Sequence, residues 1–82
     1  MNEDRMRTLS EIGFEIARKW PRPYFGAIPY LRALCDGMYG HDSAQSIVLH
    51  FLSNARTWRG EDARRLKNEL KEHLASVGGK HE

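Results

Sequence analysis

Between Ser43 and Ala55 the chain runs for thirteen residues without an Asp, Glu, Lys or Arg, although those four types make up 29% of its 82 residues. At about 100° per residue, Ala44, Ile47, Val48, Phe51, Leu52 and Ala55 share one wide helical face, with Ser43, Ser46, His50, Ser53 and Asn54 opposite. The pattern predicts a central helix around which other helices pack. Asp42 with Gln45 matches a capping box at its start, and Trp58, in phase with Ile47 and Phe51, predicts its continuation as far as residue 58.

The flanking segments repeat the helical period with less apolar surface. Thr8 and Glu11 form a capping box ahead of a helix over about 9–20, whose inner stripe is Leu9, Ile12, Ile16 and Trp20 and whose outer face pairs Glu15 with Lys19. Pro21 and Pro23 stop it, and the connector 21–26 that follows carries two aromatic rings, Tyr24 and Phe25. Pro29 suits the first turn of a second helix reaching Met38, with Tyr30, Leu31, Leu34, Cys35 and Met38 on its apolar side and Gly37 and Gly40 at the turn beyond. A last helix, over about 61–77, has a narrow stripe of Ala63, Leu66, Leu70, Leu74 and Val77, and Gly78-Gly79 ends it. No repeat and no strand pattern of useful length interrupts this reading. The expectation is an all-α, compact single domain of four helices with short connections over 8–77, between a flexible N-terminus, 1–7, and a flexible tail, 78–82.

A chain of this length makes one domain and buries only about 60% of the surface its unfolded form exposes, which leaves little room for a deep substrate pocket. Its single cysteine, Cys35, excludes an intramolecular disulfide and fits a reducing compartment. No segment approaches the roughly 20 apolar residues of a membrane span. The start, Met1-Asn2-Glu3-Asp4-Arg5, is charged and lacks the apolar run of a leader, so the expected setting is the cytoplasm, with no membrane contact.

Thirteen basic and eleven acidic residues give a net charge of +2, too small to name a partner by itself. Distribution carries more. Residues 16–35 hold Arg18, Lys19, Arg22 and Arg32 without an acid, and over 56–71 Arg56, Arg59, Arg64, Arg65, Lys67 and Lys71 outnumber Glu61, Asp62 and Glu69. On the last helix Arg64, Lys67 and Lys71 follow at i, i+3 and i+7 along one flank of the apolar stripe, while Arg65 projects among carboxylates. Arg56 and Arg59 extend the trio if the preceding junction folds back, giving a surface for phosphates or for an acidic protein. The competing reading is a solvated flank whose aliphatic stems cover the core. A second candidate is the segment 18–25, where Trp20, Arg22, Tyr24 and Phe25 interleave cations and rings that could stack on bases or grip a peptide. Its competing reading has Trp20, Tyr24, Phe25 and Tyr30 wedging the first two helices apart to complete a small core.

A helix-turn-helix fits poorly. The central helix offers Ser43, Gln45, Ser46, His50, Ser53 and Asn54 but no cation before Arg56, and the turn over 37–42 exceeds the usual three or four residues. The histidines His41, His50, His73 and His81 show no metal-ligand spacing, and Cys35, on an apolar helix side, reads as an inert small hydrophobe. No catalytic residue, metal site or cofactor is expected.

The runs Pro23-Tyr24-Phe25-Gly26-Ala27-Ile28-Pro29-Tyr30-Leu31, Tyr39-Gly40-His41-Asp42-Ser43-Ala44 and Phe51-Leu52-Ser53-Asn54-Ala55, with Trp58-Arg59-Gly60, resemble small helical proteins of actinobacterial phages and prophages. The resemblance spans about 8–74 and carries no activity or binding residue to transfer. It implies a phage-type origin and action in a host cytoplasm. The function expected is therefore a non-enzymatic interaction module, a regulatory protein binding a host or viral protein through Trp20, Arg22, Tyr24 and Phe25 or through Arg64, Lys67 and Lys71. The alternative is a nucleic-acid-binding accessory protein using Arg56, Arg59, Arg64, Lys67 and Lys71, and a homo-oligomer would draw on the same apolar surface.

Overall fold

The computed structural model describes residues 7–37 and 43–78. Residues 1–6, 38–42 and 79–82 lie outside the described residues, and with them Met38, Gly40, His41, Asp42 and most of the two terminal stretches named above; so do the side chains at 76–78, Val77 among them. The domain is all-α, with four helices and no strand among the described residues. None of its helices there is long and apolar enough to cross a membrane.

The first helix, α1, spans Leu9–Lys19 and starts at the expected capping box: Thr8 Oγ1 accepts from the Glu11 amide at 3.1 Å, and Glu11 Oε1 accepts from the Thr8 amide at 2.9 Å. Its last hydrogen bond runs from the Trp20 amide to the Ile16 carbonyl at 2.8 Å, and Pro21 follows at once. A single 3₁₀ turn, Phe25–Ala27, leads into α2, Ile28–Asp36, with Pro29 in its first turn where a missing N–H costs nothing. Gly37, at φ 70°, closes α2 in the left-handed conformation that glycine adopts without a Cβ penalty.

The third helix, α3, spans Ala44–Ser53 and departs from expectation at both ends. Its cap is Ser43, whose Oγ accepts from the Ser46 amide at 3.1 Å, in place of the Asp42–Gln45 box. At the other end the Asn54 amide bonds back to His50 and Phe51, and its Nδ2 donates to the His50 carbonyl at 2.8 Å. The next amide, of Ala55, bonds to Leu52 at 3.2 Å, three residues back, so the helix tightens and ends there. The chain then turns through residues 54–57, and Trp58 reaches the core from that turn rather than from a longer helix. Gly60, at φ 114°, precedes α4, Glu61–Gly78.

The helices form a ring in which α1 packs on α2 and α4, and α3 packs on the same two. So α3 is one side of the ring and not its centre: Leu49, His50 and Ser53 face outward. The closest approach is between α1 and α2. A Cβ on Gly13 would stand 3.1 Å from both the Cys35 amide nitrogen and the Leu34 Cβ, and Ser10 Oγ donates to the Cys35 carbonyl at 2.8 Å. Inside the ring, Ile12, Ile16, Leu34, Phe51, Leu66 and Leu70 are fully buried, and among the described residues no polar side chain joins them.

Aromatic contacts close one end of this core. Trp20 stacks on Trp58 with ring centroids 5.1 Å apart and planes 8° from parallel, and it meets Phe51 edge-on at 6.1 Å. Trp20 is only 9% exposed, which removes it from the binding surface expected of it. The physical reason is economy of apolar bulk: a domain this small needs its largest ring inside.

A charged cluster ties the chain start and α1 to α4. Arg7 grips Glu69 through two hydrogen bonds at 2.9 and 2.7 Å, and Glu15 accepts from Arg7 and Arg65 at 2.8 Å each, where a pairing with Lys19 had been expected. Lys19 instead lies 3.9 Å from Asp62, which also meets Arg65 at 3.1 Å. The hydrogen bond from Arg65, with that from Arg7, holds the Glu15 carboxyl down at about 2 against an ordinary 4.5.

Trp20→Ala should lower unfolding stability by about 3–5 kcal/mol in urea titration, the usual range for emptying a large buried aromatic site; a loss below about 1 kcal/mol would show that the stack does not support the core. Because the folded pKa of Glu15 is depressed, its stabilisation is complete above the unfolded value of 4.5 and is lost as pH falls towards about 2. Glu15→Gln should flatten the acid limb of stability against pH in that window and leave its shape unchanged above neutrality.

Candidate functional site

With Trp58 turned inward onto Trp20, its neighbours Arg56 and Arg59 in the junction between α3 and α4 are sent outward, and both are exposed. On α4 the buried stripe of Ala63, Leu66 and Leu70 fixes the helix's rotation, which places Arg64 and Lys67 along the flank nearest that junction. The two elements enclose an open groove of about 310 Å³ whose rim is Arg56, Arg59, Arg64 and Lys67 and whose floor includes Trp58 and Ala63.

Lys67 builds the groove as well as charging it. Its Nζ donates to the Trp58 carbonyl at 2.8 Å, pinning the junction to α4. Partial burial lowers the Lys67 pKa, and the neighbouring charges of Lys71 and Arg59 lower it further. Among the described residues no carboxylate lies within ion-pair distance of Arg56, Arg59, Arg64, Lys67 or Lys71, whereas Arg65 on the opposite flank meets Glu15, Asp62 and Glu69. One side of α4 is thus neutralised and the other carries cations that face one another. Lys71 is exposed one turn beyond Lys67, outside the groove itself.

A second shallow groove, of about 240 Å³, adjoins the first. Tyr24, Ser53, Asn54, Arg56 and Thr57 line it, so Arg56 belongs to both. Tyr24 is 46% exposed and Phe25 75%, with ring centroids 4.8 Å apart and planes at 49°. They do not wedge α1 from α2 as the core reading required. The 3₁₀ turn points Ala27 into the core instead, where it is fully buried, and leaves the two larger rings outside. Gly26 allows the Tyr24 ring to fold back: a Cβ there would come within 2.6 Å of Tyr24 Cε2 and 2.8 Å of Asn54 Oδ1. Arg22 is exposed on the connector but lines neither groove.

The remaining candidates are spent on structure. His50 Nδ1 sits 2.7 Å from the Ser46 carbonyl and its ring stacks on Tyr30 at 5.1 Å, so the polar side of α3 is partly occupied by its own backbone and by α2. His73 Nε2 donates to the Arg7 carbonyl at 2.7 Å. Burial, with Asp36 beside it, raises the Cys35 thiol pKa and keeps the thiolate scarce. Among the described residues no three His, Cys, Asp or Glu side chains gather to hold a metal ion.

Three exposed apolar side chains escaped the sequence reading: Phe14 and Leu49, each 54% exposed, and Ile28 at 37%. Phe14 and Leu49 each follow a buried isoleucine by two positions, about 200° around the helix, so that spacing already places them outside. No protein family, curated protein or solved structure matches the chain.

Lys67→Met, which keeps most of the stem, should lose about 1 kcal/mol of stability for the hydrogen bond to Trp58. Arg64→Ala and Lys71→Ala should stay within about 0.5 kcal/mol of the parent in the same denaturation measurement; equal losses at all three positions would remove the special role of Lys67.

Proposed function

We propose that the protein is a non-enzymatic binding module that holds the phosphate backbone of a nucleic acid along the groove between the α3–α4 junction and α4. The observation that carries this reading is the cluster of Arg56, Arg59, Arg64, Lys67 and Lys71, gathered from two elements with no carboxylate in ion-pair reach among the described residues. Unneutralised cations at close range repel one another, a cost recovered when phosphates enter and their condensed counterions leave. Three of the groove's cations are arginines, whose planar donors suit phosphate oxygens.

A phage-type regulatory protein that binds a host or viral protein is the second reading, favoured by the exposed rings of Phe14, Tyr24 and Phe25. With Trp20 inside the core, that surface is without the large anchor on which such contacts commonly depend. Both readings set the protein in the cytoplasm.

Fluorescence anisotropy with labelled single-stranded and duplex 20-mers, from low to physiological salt, separates the two. Five phosphate contacts should give a logarithmic salt slope of about −3.5 on a single strand. Arg59→Glu with Arg64→Glu should abolish binding while the circular dichroism spectrum and melting temperature hold. Absence of binding at low salt would overturn the proposal and leave the protein contact.

A further inference from the structure

We infer that the strand held in this groove is unpaired, and that its bases stack on Phe25 and Tyr24 while its phosphates follow Arg56, Arg59, Arg64 and Lys67. The inference rests on the phosphate-binding reading and adds to it the kind of nucleic acid. Its basis is that Arg56 lines both grooves, the cationic one and the one that Tyr24 lines, and that Phe25, in neither lining, packs on Tyr24 with ring centroids 4.8 Å apart.

Phe25 does nothing for the core. Ala27 fills the inward position of the 3₁₀ turn, and Phe25 keeps 75% of its surface in water beside Tyr24. The Tyr24 ring is held in place because Gly26 leaves space for it against Asn54, so this platform needs little ordering when a ligand arrives. Neither groove includes an acidic side chain in its lining; Glu61 and Asp62 line a separate groove that Arg64 also borders. In a duplex the bases are already stacked on their neighbours and turned away from a surface that tracks the phosphates. Unpaired bases have free faces, and every base has one, so such a site tolerates sequence while rejecting a closed helix.

The test compares three labelled probes of equal phosphate count: oligothymidylate, an abasic strand and a mixed-sequence duplex. The parent protein should bind oligothymidylate about tenfold more tightly than the abasic strand, as base stacking on one aromatic side chain provides. Phe25→Ala should reduce that preference without changing the salt slope, and Phe25→Tyr should retain it. Phe25 is exposed, so the variants test binding and not folding. Equal, salt-sensitive affinity for oligothymidylate and abasic strand, tighter binding of the duplex, or indifference to Phe25→Ala would overturn the stacking inference while the phosphate reading stands. Failure of every probe to bind at low salt would overturn both.

Discussion

The contact between Trp20 and Trp58 decides where the chain's remaining chemistry can go. Trp20 stands at the last hydrogen bond of α1 and Trp58 in the junction after α3, so one stack joins two points that are distant in sequence and closes the end of the ring. Pulling Trp58 in turns Arg56 and Arg59 out, and pulling Trp20 in makes the proline-bearing connector leave from the core edge. The connector then re-enters through Ala27, with Tyr24 and Phe25 on its outer side. The grooves are by-products of how the core is sealed.

Charge on α4 is divided in the same way. The flank facing α1 is occupied by Glu15, Asp62 and Glu69 with Arg7 and Arg65, a network whose members share partners and fix the rotation of α4 against α1. An isolated exposed pair would contribute little, whereas a shared arrangement with bidentate geometry restrains more. The opposite flank has no such restraint except the Lys67 hydrogen bond to Trp58. Rigidity and availability for binding therefore sit on opposite sides of a single helix.

Much of the fold was legible because helical phase is a local property. The stripes on α1 and α4, the Thr8–Glu11 cap and the stop at Pro21 all follow from residue spacing within one turn or two. Phase alone could not end α3. Trp58 is inward whether it is reached by helix or by a turn, and the tighter bond from the Ala55 amide to Leu52, where α3 ends, leaves no trace in periodicity. Ser43 and Asp42 are adjacent residues of similar capping strength, so the register of the cap rested on geometry. Trp20 continues the inner stripe of α1 and is buried as that phase requires, whereas within the connector Tyr24 and Phe25 have no period to sort inside from outside. The unpaired cations of α4 were readable from i, i+3 and i+7 spacing. Their meeting with Tyr24 through Arg56 depends on a turn that the sequence does not dictate locally.

The two-faced character of α4 also changes what the net charge of +2 means. Paired charges on one flank of α4 cancel at short range, while the cations on the other add. At physiological ionic strength the field reaches only about 8 Å, roughly the depth of a side chain and its hydration layer. If the ligand is the polyanion proposed above, it would feel these uncancelled cations only within that distance. A small net charge can thus conceal a locally cationic flank.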